Sequence, residues 1–168
     1  MRWQLLDSIL ELIPGESAKG FATTDYPPEL YADHFPTFPV TPGVLLVEMC
    51  AHLCGKLIIA TAWEQRGVWI FPVLTMVQEA KFRAFVPPDT KVEVRVVMEE
   101  IRPESAMFSA SVWRDEKRCA NVRLVLAFDP TGRAYHGDPV ALKTYAKREF
   151  RRLGSPWSPE EVTDASPI

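Results

Sequence analysis

An α+β domain, with antiparallel strands curled over one long central helix, is predicted by three observations. Residues 43–63 form a single apolar stretch broken only by Glu48, His52 and Lys56 among ionisable groups. A helix apolar on nearly all sides has to be wrapped by other elements. After Gly67 the texture changes to runs rich in β-branched and aromatic residues, set apart by turn signals. Strands that follow a helix in a block, rather than alternating with helices, favour an antiparallel sheet. At 168 residues, 47% of them hydrophobic, the chain is long enough for one sizeable core.

The elements follow in order. Residues 5–13 are apolar, but periodicity alone does not separate strand from helix there. Pro14-Gly15 gives a turn, and residues 17–24 suit a second strand. Five prolines between Tyr26 and Pro42 make that segment a structured loop. Thr41 suits an N-cap with Pro42 as the first helical residue, and the helix then runs to about Trp63. Residues 68–76, 79–86, 91–101, 107–114 and 119–128 read as strands. Residues 91–96 alternate cleanly, the mark of a strand with one wet face. Pro87-Pro88-Asp89 and Asp115-Glu116-Lys117 are turns. Asp138-Pro139 suits an N-cap and first helical residue, with a helix over 141–153 that stops at Gly154. Residues 155–168 are polar, carry three prolines and are expected to be loosely ordered. Residues 1–128 thus form the main domain and 129–168 a C-terminal extension.

Composition excludes several functions. A formal charge of −3 gives no reason to expect nucleic acid. Three cysteines do not make a disulfide framework, and Cys50, Cys54 and Cys119 read as small core residues. The N-terminus has no secretory signal pattern, so a cytoplasmic setting is expected. Residues 44–62 are long enough to cross a bilayer, yet Glu48, His52 and Lys56 are costly in lipid, and a buried helix is the better reading. Cys50 and Cys54 lie about 200° around the helix from Glu48, whereas His52 shares the Glu48 face, so Cys50-x-His52-x-Cys54 is not a metal site. No metal and no cofactor are expected.

The chemistry concentrates in residues 34–48. One imidazole, His34, and one carboxylate, Glu48, stand fourteen positions apart across a Pro-rich loop. These are the groups that move protons near neutral pH. A loop His can be a base, and a Glu buried on a helix can be held protonated as an acid.

The run His34-Phe35-Pro36-Thr37-Phe38-Pro39-Val40-Thr41-Pro42-Gly43-Val44-Leu45-Leu46-Val47-Glu48 resembles the active-site motif of the 3-hydroxyacyl-acyl-carrier-protein dehydratases of the FabZ and FabA type. The resemblance covers about residues 5–128 and includes Lys81-Phe82-Arg83-x-x-Val86-x-Pro88-Asp89 after the helix. It implies the hotdog fold and removal of water from a 3-hydroxyacyl thioester. His34 would take the C2 proton and Glu48 would protonate the C3 oxygen. Backbone N–H groups of Gly43 and Val44 at the helix start would stabilise the thioester oxygen, with glycine at 43 allowing close approach. The resemblance also implies a homodimer or a trimer of dimers, each site taking its His from one chain and its acid from the other. An acyl tunnel between chains is expected to draw on Phe38, Phe71, Met76 and Phe82.

The sequence departs from the family at Asp33, Thr37, Phe38 and Thr41, and at His52, where Gln is usual. His52 shares the Glu48 face and can hydrogen-bond it or tune it. Residues 141–153 carry Lys143, Lys147, Arg148, Arg151 and Arg152 against Glu149 alone. An acidic acyl carrier protein could dock on Arg148, Arg151 and Arg152; the plainer reading is a solvated amphipathic helix packed by Leu142, Tyr145, Ala146, Phe150 and Leu153. Two other functions fit the same fold: an acyl thioesterase, which would not need His34-Phe35-Pro36, and a non-catalytic subunit of a heteromeric dehydratase.

Overall fold

The computed structural model describes residues 4–129 and 139–159. Six strands form one antiparallel sheet: β1 (Ser8–Ile13), β2 (Ser17–Thr23), β3 (Val73–Phe82), β4 (Lys91–Ile101), β5 (Ser105–Arg114) and β6 (Lys117–Ala127), in the order β1-β2-β4-β5-β6-β3. Residues 5–13, ambiguous by pattern, are resolved by pairing: Ser8 lies opposite Phe21 and Ile13 opposite Ser17 across the Pro14-Gly15 turn. The two strands predicted over 68–76 and 79–86 are instead one, β3, whose register against β6 shifts between Leu74 and Met76 and again between Val77 and Glu79. Bulges interrupt simple alternation, which is why the segment read as two pieces.

A short helix, α1 (Pro28–Ala32), lies inside the segment expected to be loop throughout. The central helix α2 (Gly43–Arg66) runs one turn past its predicted end and stops where Gly67 takes a left-handed φ of 65°. Pro42, not Thr41, is its N-cap residue, and no side chain caps it. Thr41 instead donates through Oγ1 to the Pro87 carbonyl at 3.3 Å and through its backbone N–H to the Val86 carbonyl at 2.8 Å. The tertiary tie to the strand-linking turn outcompetes the local cap.

The sheet wraps α2. Leu53, Leu57 and Ile58 of the helix and Phe108, Val112 and Leu124 of the sheet are wholly buried. Each such aliphatic or aromatic side chain contributes about 1.5–3 kcal/mol by leaving water. Cys50, Cys54 and Cys119 are buried free thiols, and burial pushes Cys50 up to about 12. The helix is long and apolar enough to cross a membrane, but 72% of its apolar window is buried inside the protein, as for a core helix.

A third helix, α3 (Pro139–Arg152), ends in Gly154 with φ 57°; the proposed cap Asp138 lies outside the described residues. The Leu153 carbonyl accepts from the Ile9 N–H at 2.8 Å, tying the end of α3 to edge strand β1. Residues 155–159 are held rather than loose. Trp157 is buried, packs edge-on against Phe150 at 4.8 Å, and donates from Nε1 to Glu64 Oε1 at 2.7 Å.

Candidate active site

His34 sits just after α1 in a loop pinned from several sides. The Tyr31 hydroxyl donates to the Thr24 carbonyl at 2.6 Å. The Val40 N–H reaches the His34 carbonyl at 3.3 Å. Phe35 has φ 43°, a left-handed conformation that costs a residue with a Cβ about 1–2 kcal/mol. The strained residue adjoins the candidate base. His34 Nδ1 lies 2.8 Å from the Val40 carbonyl oxygen. A carbonyl only accepts, so Nδ1 carries the proton and Nε2 presents its lone pair.

Glu48 projects from the second turn of α2 and is half-buried. His52, one turn on, places Nε2 at 3.3 Å from Glu48 Oε1. Burial pushes the His52 pKa below its usual value, against the pull of the Glu48 charge and with help from Lys56. His52 is therefore neutral at pH 7 and meets Glu48 as a weak hydrogen-bond partner. The contact expected between these residues is present.

Both residues open on a cavity of about 630 Å³, a size typical of small-molecule sites. Ile59, Phe71 and Leu126 line one side, and Leu142 and Tyr145 of α3 another. Phe71 thus lines the same cavity as Glu48. His34 is not among the residues lining this cavity within one chain. Phe38 and Phe82 lie instead on a second cleft of about 450 Å³, lined also by Phe85, Arg83 and Arg114. Met76 stands on the outer part of β3, more than half exposed.

At the helix start, the backbone N–H groups of Gly43 and Val44 belong to a first turn without intrahelical partners, at the positive end of the dipole. Val44 is 72% exposed. Gly43 has a packing cause within the chain. A Cβ there would fall 2.7 Å from the Phe82 ring. The space that glycine frees is taken by this chain's own phenylalanine.

The basic residues of α3 divide. Arg148 and Arg151 are exposed. Arg152 is exposed as well but also reaches back to the body, donating from Nη2 to Glu149 Oε2 at 3.0 Å and from Nη1 to the Leu6 carbonyl at 3.1 Å. Glu149, only 7% exposed, and Lys56 line the same cavity as Glu48. Lys56 stands eight residues after Glu48 on the same helix face, and Glu149 is the lone acid of a basic helix. That α3 folds back to join them depends on a tertiary contact no local pattern carries.

A model of the FabA-like domain matches residues 2–123. The chain belongs to the FabA-like family. It is 33% identical over 120 residues to the 3-hydroxyacyl-[acyl-carrier-protein] dehydratase FabZ of Ligilactobacillus salivarius, covering 71% of this chain and 84% of that one. It is 32% identical over 108 residues to the same enzyme of Rickettsia massiliae, covering 64% and 73%. Among solved structures, a thioesterase variant from Staphylococcus aureus matches with TM-score 0.57 and 12% identity over 73% of this chain and 93% of that one. A dehydratase heterocomplex from Xenorhabdus doucetiae matches with TM-score 0.52 and 16% identity over 70% and 92%. These likenesses show the hotdog fold. The match to the family model stops at residue 123, before α3.

Proposed function

We infer that this FabA-like chain dehydrates a 3-hydroxyacyl thioester, borne on an acyl carrier protein, to the trans-2-enoyl thioester in fatty-acid or related lipid synthesis. The observation that carries this reading is the His34 ring, held at Nδ1 by the Val40 carbonyl so that Nε2 is left as the basic nitrogen, in a chain whose FabZ relatives are named for that reaction.

His34 Nε2 takes the C2 proton. The electron pair moves into the C2–C3 bond, and the C3 oxygen leaves as water with a proton from Glu48. The growing charge on the thioester oxygen is met by the N–H groups of Gly43 and Val44. The C2 hydrogen is weakly acidic and hydroxide leaves poorly, so both transfers contribute to lowering the barrier. The proton then passes from His34 back to Glu48 through solvent. His52 stays neutral beside Glu48 and holds its orientation.

The working unit is a homodimer or a larger assembly of dimers. His34 does not reach the Glu48 cavity of its own chain, and β3 is a sheet edge bearing exposed Val73, Met76, Val77 and Phe82. An exposed apolar edge strand invites pairing with a second copy. That pairing would bring a partner's His34 toward Glu48 and line an acyl tunnel with Phe38, Phe71, Met76 and Phe82. The exposed Arg148 and Arg151 offer positive charge to an acidic carrier; Arg152 contributes by holding α3.

Mass spectrometry of a carrier-linked 3-hydroxyacyl chain tests the reading. Loss of one water by wild type, but not by His34→Ala or Glu48→Gln, is expected. Release of free thiol without an enoyl product would make the chain a thioesterase. No conversion at any chain length would make it a non-catalytic partner.

A further inference from the structure

Beyond Glu48 and His52 the cavity ends in charge. Lys56, Glu149 and Arg152 all line it, and the side chains of Lys56 and Glu149 are only 11% and 9% exposed. Two cations share one carboxylate, so the cluster carries one surplus positive charge. The two cations are not equivalent. Arg152 is taken up by Glu149 at 3.0 Å and by the Leu6 carbonyl at 3.1 Å. Lys56 Nζ stands 3.9 Å from Glu149 Oε2, beyond hydrogen-bond reach. Its flanks are aromatic, with the Tyr145 and Phe150 ring centres 5.6 and 5.9 Å away. His52 is neutral and adds no further positive charge, and Glu48 lies about 12 Å away along the helix axis.

We propose that this end of the cavity is a binding subsite for a carboxylate at the far end of the acyl chain, with Lys56 as the residue that selects it. The thioester would lie between the helix start and Glu48, and the chain would leave the tunnel at Phe71 and run along Ile59 and Leu142, with the terminal carboxylate at Lys56. A methyl terminus there would cover a buried ammonium without giving it an acceptor, which is unfavourable. A carboxylate supplies both the acceptor and the missing negative charge. α3 makes the subsite, since it contributes Glu149 and Arg152. The identity of the chain as a 3-hydroxyacyl thioester rests on the dehydratase reading; the subsite itself rests on the cluster.

The test uses two 3-hydroxyacyl pantetheine thioesters of equal length, one ending in methyl and one in carboxylate. Calorimetric binding to the wild-type protein should favour the carboxylate-ended ligand about tenfold or more. Lys56→Met should remove that preference while leaving affinity for the methyl-ended ligand unchanged or improved. Equal wild-type affinities, or a Lys56→Met loss shared by both ligands, would overturn the proposal and leave the cluster as a clasp for α3. Turnover is read separately. A carboxylate preference in binding without dehydration of either compound would sustain the subsite and overturn the dehydratase reading. Dehydration of both with equal kcat/KM and equal affinity would do the reverse.

Discussion

The Val40 carbonyl oxygen lies 2.8 Å from Nδ1 of His34 and fixes which ring nitrogen is basic. The acceptor is backbone, so no side-chain substitution nearby removes it. Asparagine at 34 would keep a donor to that carbonyl but would offer no base. His34→Asn and His34→Ala should therefore both lower kcat by about 10²–10⁴-fold, with unchanged circular dichroism. Near-normal turnover in His34→Asn would show that the ring is structural.

Glu48 and His52 are predicted to separate in their effects. Glu48→Gln keeps the shape and removes the proton donor, so kcat should fall by about 10²-fold or more while KM changes little. His52→Gln retains a donor to Glu48 and should stay within about tenfold of wild type. His52→Leu should fall further, because it leaves Glu48 without that partner. Steady-state kinetics on the four proteins distinguish a reacting group from a positioning one.

Gly43 is held by Phe82. Gly43→Ala would put a methyl group 2.7 Å from the ring, but the ring is half-exposed and its free end can swing away. Thermal unfolding should show a loss of only about 1 kcal/mol. Activity should suffer more, because the added methyl group and the displaced ring alter the space beside the helix start where the thioester oxygen is to be bound. Adding Phe82→Leu should restore part of the lost kcat/KM.

Acid should loosen α3. Burial alone would raise the Glu149 pKa, but the Arg152 hydrogen bonds and the Lys56 and Arg152 charges hold it below the usual carboxylate range. A carboxylate with a depressed folded pKa contributes stability that is present above its unfolded value and is lost as pH falls through its folded value. His52, also depressed, adds an acid-side loss as pH falls below about 6.5. Glu149→Gln should cost about 1–3 kcal/mol at pH 7, less than a fully buried pair because 30% of the Arg152 side chain stays in solvent. It should also flatten the decline in Tm below pH 4.5. An unchanged acid profile would remove Glu149 from the account.

The legible parts of this molecule are those fixed by local pattern. β4, Lys91–Ile101, falls on the predicted strand, whose first half alternates cleanly. α2 begins where the apolar stretch begins. The His34 and Glu48 motif was plain because both residue types sit at a spacing that a known family shares. The illegible parts depend on partners distant in sequence. β3 was split because its bulges are set by β6. Thr41 lost its cap role to Pro87, 46 residues away. The order of residues 155–159 comes from Trp157 meeting Glu64, 93 residues earlier. The charged end of the cavity was hidden for the same reason, since Lys56 and Glu149 meet only after α3 has folded back.

Mixing two inactive proteins tests the central claim most directly. If each site takes His34 from one chain and Glu48 from the other, a mixed dimer of His34→Ala and Glu48→Gln contains one doubly altered site and one intact site. Co-refolding the two in equal amounts should restore about a quarter of wild-type water loss, the share expected for random pairing in a two-fold dimer. No recovery, with mixed dimers shown to be present by native mass spectrometry, would contradict a shared site.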